Sequence, residues 1–310
     1  MSNLSVIQSE NVENDVSQVI VSVIIATYRR EVELKRALES LLQQTYKAIE
    51  IIVVDDNAEA EWNKKVKGII DEICTHQPII YIQNEVNKGS AETRNIGIRR
   101  ATGNYITFLD DDDVYLPRKI QNQVEHMLEN SSDYCITDLE LYDENERLVE
   151  KRTRNYIKEK NAEALFRYHL MYHITGTDTL MFERNYLLSI GGFPPINVGD
   201  EFYLMQKAIE ADGKFSYLPI CDVKAYVHME TDGLSSGESK INGENNLYEY
   251  KKRYFNRLKF SHRRYITMRH YAVLAFAEMR RKNNKNLLKY AIMSFLSNPI
   301  GCVKLFIEKK

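Results

Sequence analysis

A doubly wound, mainly parallel α/β sheet with helices on its faces is predicted from three observations. Several strand-length runs are apolar at nearly every position, stretches of helical period separate them, and short polar clusters stand where the runs end. A strand covered on both faces loses the alternation of a half-exposed one. Parallel neighbours need a crossover between them, usually a helix. With 310 residues, 44% hydrophobic and 28% charged, the chain is long enough for one large domain or a domain with an appendage.

The elements follow in order. VIVSVIIAT at 19–27 is β-branched and almost continuous, as a buried central strand requires. Glu33 to Gln44 sets Leu34, Leu38, Leu41 and Leu42 on one helical face. IEIIVVD at 49–55 gives a second strand, a helix-like stretch runs to Cys74, and PIIYIQ at 78–83 gives a third strand. Ala91 to Ala101 reads as helix, with Gly103 as a stop signal just beyond it. NYITFLD at 104–110 is a fourth strand, and Pro117 stands where another helix can begin. Beyond about residue 131 the alternation loosens. Strand-like pieces at 134–142, 178–183 and 215–228 surround helices near 160–170 and 200–211, a mixed continuation of the same domain. From about 245 the chain is helical, basic and aromatic, and no internal repeat is present. The expected organisation is a loosely attached segment 1–18, a domain 19–244 with halves 19–130 and 131–244, and a helical extension 245–310.

In open α/β sheets ligands bind beyond the carboxyl ends of the strands, which directs attention to Thr27–Arg30, Asp55–Asn57 and Asp110–Asp113. In the last of these, Phe108 and Leu109 lead straight into four consecutive carboxylates. Packed carboxylates repel one another unless a cation neutralises them, and hard oxygen donors suit Mg²⁺ or Mn²⁺. The competing reading is a solvated acidic turn ahead of the next helix. The location beside two other polar strand ends favours the metal site. Asp55-Asp56-Asn57 admits two readings of equal weight: a carboxylate for nucleobase or ribose, or a turn satisfying its own backbone.

Taken together, VSVIIATYRR, EIIVVDDN, NKGSAETRNIGIRRATGNYITFLDDDDVYLPRKI and GGFPPINVGDEFYLMQKAIEADGKFSYLP resemble glycosyltransferase family 2 over about residues 20 to 235. The resemblance implies a GT-A-type fold whose second half receives the acceptor. It implies transfer of a sugar, with inversion, from a nucleotide-sugar donor to the hydroxyl of a saccharide or lipid-linked saccharide, as in bacterial-type surface polysaccharide or glycolipid assembly. UDP is the expected nucleotide and Mn²⁺ or Mg²⁺ the expected metal. Carried onto this sequence, Thr27, Tyr28 and Arg29 would line the nucleotide pocket, with Asp56 on the uracil and Arg94 facing the donor. Asp110 and Asp112 match the two acids of the metal motif. Asp112 would bind the metal directly, with Asp110 and His228 approaching it, while Asp110 and Asp111 would contact ribose or sugar. Asp200 and Glu201 match an acidic pair whose second member serves as base. The pair is Asp-Glu, where Glu-Asp is commoner, so either residue can be the base. The competing reading for both is acid favoured at a helix N-terminus. Two residues before His228 the family often has Arg where this chain has Tyr226, leaving diphosphate neutralisation partly unassigned.

Two alternatives keep the chemistry near nucleotides. A Mg²⁺-dependent sugar nucleotidyltransferase would want a glycine-rich phosphate loop after the first strand, which ATYRREVEL lacks. A non-catalytic nucleotide-sugar-binding subunit would be expected to lose the acids that are present here. His169 and His173 stand four apart, a spacing that can ligate zinc. With no third ligand in sight they read as ordinary partly buried or acceptor-side histidines.

The net charge of -2 hides a division. Glu249 to Lys310 carries 16 Lys and Arg against 3 Asp and Glu, or +13, and the first 248 residues carry 26 against 41, or -15. Within the tail Leu287, Leu288, Ala291, Ile292, Phe295 and Leu296 form an apolar stripe flanked by Lys285 and Lys289. Peripheral attachment to an anionic membrane surface is one reading. Packing on the catalytic domain or a second subunit, as in a homodimer, is the other. Nucleic acid is not expected, because the acidic body would repel it. Four scattered cysteines without a CxxC pair suit a reducing cytoplasm. No secretory pattern opens the sequence and no run is long enough to span a bilayer, so the expected location is cytoplasmic, at the inner face of the membrane where it attaches.

Overall fold

Val21–Thr27 forms β1, and its two faces explain why the sequence there is apolar throughout. Val21, Val23 and Ile25 enter a core with Leu34, Leu38 and Leu41 of α1 (Val32–Leu42) and Val66 and Ile70 of α2 (Ala60–Ile73). Ile24, on the opposite face, meets α3 (Ser90–Arg100) at Gly97, where an added Cβ would lie 2.5 Å from the Ile24 side chain. This computed structural model describes residues 19–75, 77–196, 199–227 and 237–308. Two compact units divide the chain: Met1–Ala162 with Ile174–Val227, and Glu163–His173 with His228–Lys310.

The first unit carries the sheet. After β1 come β2 (Ile49–Asp55), β3 (Ile79–Gln83), β4 (Tyr105–Phe108), a short β5 (Val114–Tyr115), α4 (Lys119–Asn130), β6 (Tyr134–Thr137), β7 (Leu139–Tyr142) and β8 (Leu148–Arg152). After α5 (Ala162–Tyr172) follow β9 (Leu180–Glu183), α6 (Arg184–Ser189), α7 (Asp200–Glu210), β10 (Phe215–Leu218) and β11 (Val223–Tyr226). The main sheet has the order β10-β6-β9-β4-β1-β2-β3, parallel except for β9, which runs antiparallel to β4 and β6. The predicted doubly wound sheet is present, and β1, β2 and β4 end side by side.

Two stretches expected as single strands are each divided between sheets. The segment 134–142 breaks at Asp138, whose carboxylate accepts the Tyr217 hydroxyl at 2.7 Å and the Arg154 amide at 3.0 Å. The segment 215–228 breaks after Leu218, where Pro219 has no amide to give a ladder. The second halves of both build a smaller sheet, β5-β11-β7-β8. It brings β11 and Tyr226 to the acid cluster, where the Tyr226 amide donates to Asp113 at 2.9 Å.

The second unit is helical: α5 (Ala162–Tyr172), α8 (Gly237–Lys252), α9 (Phe260–Arg280), α10 (Asn284–Ser297) and α11 (Pro299–Glu308). The stretch near 160–170 clusters here, with Phe166 edge-on to Tyr254 at 5.1 Å. α9 buries Ile266, Met268, Ala272 and Leu274, and Ser294 of α10 donates to the Met268 carbonyl at 2.9 Å. His169 is fully buried. His173 sits past the end of α5 at φ 59° with its ring bonded to the buried Lys251 ammonium. Neither belongs to a group of clustered metal-ligand atoms among the described residues. None of the described helices is long and apolar enough to cross a membrane.

Candidate functional site

The carboxyl ends of β1, β2 and β4 present Thr27, Asp55–Asn57 and Asp110–Asp113 to one another. The four consecutive acids each take a different partner. Asp110 Oδ1 accepts from Arg94 Nη2 at 2.6 Å. Asp111 Oδ2 accepts from the Thr27 hydroxyl at 2.8 Å and the Tyr28 amide at 3.1 Å. Asp112 Oδ2 accepts from Arg30 Nη2 at 3.0 Å. Asp113 Oδ1 accepts the Tyr226 amide, and its carboxyl bonds to that of Asp178. The acidic run therefore joins four separate segments of the chain at the end of β4.

Asp178 was not anticipated from sequence. Its Oδ1 accepts the Asp110 amide at 2.6 Å. One carboxylate oxygen each from Asp110, Asp113 and Asp178 lie within 4.8 Å of one another, a grouping able to hold a metal ion. Hard oxygen donors at this spacing fit Mg²⁺ or Mn²⁺. Burial and mutual repulsion raise three of the acids: Asp111 to about 7, Asp178 to about 8 and Asp113 well above the usual carboxylate range. A divalent cation held among them would relieve that repulsion. Asp110 belongs both to this grouping and to the expected metal pair. The Asp112 carboxylate is turned to Arg30, and His228 lies outside the described residues.

Beneath this layer Lys119 is completely buried, donating to Thr107 Oγ1 at 2.6 Å and Tyr115 Oη at 2.8 Å. Tyr115 Oη donates to the Phe108 carbonyl, two residues before the acidic run, and lies 3.2 Å from the Asp178 carbonyl. Burial pulls the Lys119 ammonium down to about 7.

At the end of β2, Asp55 closes a turn on the Asn57 amide at 2.9 Å and takes the Tyr81 hydroxyl at 2.7 Å. Asp56 is buried and accepts three donors from the 84–89 loop. Asn84 Nδ2 and the Lys88 amide reach Oδ1 at 2.8 Å, and the Gly89 amide reaches Oδ2 at 2.9 Å. Gly89 adopts φ 79°, open to glycine at little cost. A carboxylate has about four acceptor positions, so Asp56 keeps one beyond these contacts. The loop it anchors leads into α3 and Arg94.

Arg94 links the two halves of the unit. Its Nη2 meets Asp110 and its Nη1 meets Asp200 Oδ2 at 3.0 Å, at the first turn of α7. Burial works against the charge, yet the two carboxylates outweigh it and hold the guanidinium firmly protonated. Glu201 beside it accepts the Thr177 hydroxyl at 2.8 Å. Burial and the neighbouring Asp200 raise the Glu201 carboxyl, opposed by the Thr177 bond. Asp200 is thus engaged by an arginine and Glu201 by a neutral hydroxyl.

The arginines after β1 divide differently from expectation. Arg29 has φ 53°, and its guanidinium pairs with Glu59 at the surface while its amide donates to Asn57. Arg30, not singled out from sequence, reaches Asp112 instead. Arg36 of α1 was also missed. Its Nη2 donates to the Asp112 carbonyl at 2.8 Å and its guanidinium lies 3.9 Å from the Tyr226 ring centre. The tyrosine that breaks the family pattern therefore supports a cation from another helix. Adjacent arginines are indistinguishable in sequence, and no pattern marks Asp178 within TGTDT.

Comparisons with known proteins identify the family and the type of fold. The family model described as Glycosyl transferase family 2 matches residues 22–187. An uncharacterized glycosyltransferase of Methanocaldococcus jannaschii is 36% identical over 159 residues, covering 50% of this chain and 53% of the relative. A UDP-Glc:alpha-D-GlcNAc-diphosphoundecaprenol beta-1,3-glucosyltransferase, WfaP of Escherichia coli, is 42% identical over 109 residues, 35% of this chain and 41% of the relative. The chain thus spans about half or less of the length of these curated relatives. Staphylococcus aureus TarS 1-349, solved with UDP-GlcNAc, superimposes with a TM-score of 0.61 at 18% identity, covering 89% of this chain and 91% of that one. Mannosyltransferase PcManGT from Pyrobaculum calidifontis, solved with GDP-Man and Mn²⁺, gives a TM-score of 0.61 at 17% identity over 94% and 84%. These two structures show that the fold is of the GT-A type.

Proposed function

The chain belongs to glycosyl transferase family 2, and from that membership we propose that it transfers a sugar, with inversion, from a UDP-sugar to a hydroxyl of a lipid-linked saccharide. The observation that carries the reading is Arg94, which joins Asp110 at the end of β4 to Asp200 at the start of α7. An acidic site suited to a diphosphate-bound cation is thereby coupled to a separate acidic pair suited to an acceptor. Residues 19–130 would bind the nucleotide through Thr27, Tyr28, Asp56 and Asp111, and 131–244 would receive the acceptor. The relatives named for UDP-Glc and for a diphosphoundecaprenol acceptor supply the substrate class.

In the proposed reaction Glu201 takes the proton from the acceptor hydroxyl as its oxygen bonds the anomeric carbon. The anomeric carbon–phosphate oxygen bond breaks on the opposite face, and its electron pair leaves on the nucleoside diphosphate. Attack opposite the leaving group inverts the centre. Asp110 and Asp112, with Asp113 and Asp178 alongside, would hold a divalent cation, which supplies Lewis-acid stabilisation of the departing diphosphate. Asp200, fixed by Arg94, orients the pair, and the freer Glu201 serves as base.

A thermal-shift screen of nucleotide sugars with and without Mn²⁺ tests the donor class, since a ligand of the native state raises apparent stability. A UDP-sugar should stabilise the protein in Mn²⁺, and slow hydrolysis of that sugar should stop on chelation. Stabilisation by no nucleoside diphosphate sugar would end the reading. The helical unit, with its apolar stripe and cations, is proposed to bring the enzyme to an anionic membrane surface where a lipid-linked acceptor resides.

A further inference from the structure

The contacts of Arg30 single it out among the arginines around the acidic run. Arg94 is buried and gripped on two sides, so its charge stays where it is. Arg36 is held by a backbone carbonyl and a tyrosine face. Arg30 lies in the loop after β1, one-third exposed, with Nη2 on the Asp112 carboxylate and Nη1 3.7 Å from Glu33. Asp112 is itself only 20% exposed. A partly enclosed carboxylate is here neutralised by a guanidinium whose other ion-pair partner among the described residues is the partly exposed Glu33.

We propose that Arg30 is a counter-ion exchanged between the metal-site carboxylate Asp112 and the diphosphate of the donor. The inference rests on the proposed nucleotide-sugar function and assigns that site a specific diphosphate ligand. Two cations cannot share one carboxylate at full strength, so a divalent ion at Asp112 competes with the guanidinium. The displaced guanidinium is a planar fork of donors suited to phosphate oxygens. A diphosphate arriving with its cation gives the fork a new acceptor within reach of the loop. Arg30 thereby opposes metal binding when the nucleotide is absent and favours the nucleotide once the metal is present. A side chain that merely braced the loop would push both equilibria in one direction.

The experiment uses the full chain and two titrations without turnover. Mn²⁺ is titrated into nucleotide-free protein, and UDP or uridine is titrated at saturating Mn²⁺, for the wild type, Arg30→Met and Arg30→Lys. Arg30→Met should bind Mn²⁺ more tightly, by up to about fivefold, the scale of a partly exposed ion pair. It should bind UDP about tenfold more weakly, the loss of a charge-assisted hydrogen bond, with uridine unchanged. Arg30→Lys should fall between in both. Weaker binding of both Mn²⁺ and UDP would make Arg30 a brace and overturn the exchange, as would two unchanged affinities. A wild type that binds neither UDP nor GDP, with or without Mn²⁺, would instead remove the nucleotide-sugar reading beneath it. The wild-type titrations alone separate that failure from a failure of Arg30.

Discussion

Glu201 stands under opposing influences, and their balance makes a kinetic prediction. Burial and Asp200 push its carboxyl upward, while the Thr177 hydroxyl at 2.8 Å favours the ionised form. A base must be ionised to act, so kcat should rise with pH as Glu201 loses its proton. The midpoint of that acidic limb should lie above the usual glutamate value of about 4.3. Thr177→Val removes the bond that stabilises the carboxylate, so the limb should move to still higher pH with its plateau largely kept. Glu201→Gln should abolish transfer while nucleotide binding survives. A limb that stays in place in Thr177→Val would mean that another group controls the rate. Asp200, tied to Arg94, is the weaker candidate because any proton it takes up breaks an ion pair inside the fold.

At the scale of elements, α4 supports the end of β4 through a buried charge. Lys119, its first residue, feeds the Thr107–Tyr115 network that holds the Phe108 carbonyl. Burial lowers the Lys119 pKa to about 7 in the fold, against about 10.4 in an unfolded chain. Between those values the unfolded state binds the extra proton, so this contribution to stability rises with pH, and below about 7 the penalty is complete. The stability difference between wild type and Lys119→Met should therefore grow in favour of wild type from pH 7 to 9. Its slope should be at most about 1.4 kcal/mol per pH unit, read from urea midpoints at each pH. A difference independent of pH would show that Lys119 stays fully protonated in the fold, its pKa not lowered by burial. Lys119 illustrates where legibility stops. β1, β2, β4 and their helices were readable because burial on both faces leaves continuous apolar runs and Gly97 permits close contact with Ile24. The breaks at Asp138 and Pro219 were not, since they depend on which sheet each half-strand joins. In the site, Asp110–Asp113 announced itself by clustering, and Asp200–Glu201 only through the resemblance to the family. Asp178, Arg30 and Arg36 are lone residues whose meaning arises from the fold bringing them to those acids.

At the scale of the whole molecule, the charge division gains a surface in the helical unit. Leu288, Ile292, Phe295 and Leu296 recur at helical spacing on α10 and are between 48% and 68% exposed, and Ile300 and Val303 of α11 are 75% and 50% exposed. The sequence stripe also included Leu287 and Ala291, which the structure partly covers. From Met279 to Ile307 there are six Lys or Arg and no Asp or Glu. A two-fold dimer through this face would set the same cations against themselves, because such an interface is self-complementary. An anionic bilayer surface meets both requirements, accepting apolar side chains at its acyl boundary and cations at its headgroups. The full chain should co-sediment with vesicles containing phosphatidylglycerol but not with phosphatidylcholine alone, and should release as salt rises. Ile292→Glu with Leu296→Glu should abolish co-sedimentation, and exposed positions of this kind leave the fold little changed. Transfer to a short water-soluble acceptor should persist in that variant while transfer to an acceptor in vesicles falls. If instead the wild type ignores anionic vesicles and the double variant changes only the sedimentation of the free protein, the face joins subunits and the acceptor reaches the enzyme by another route.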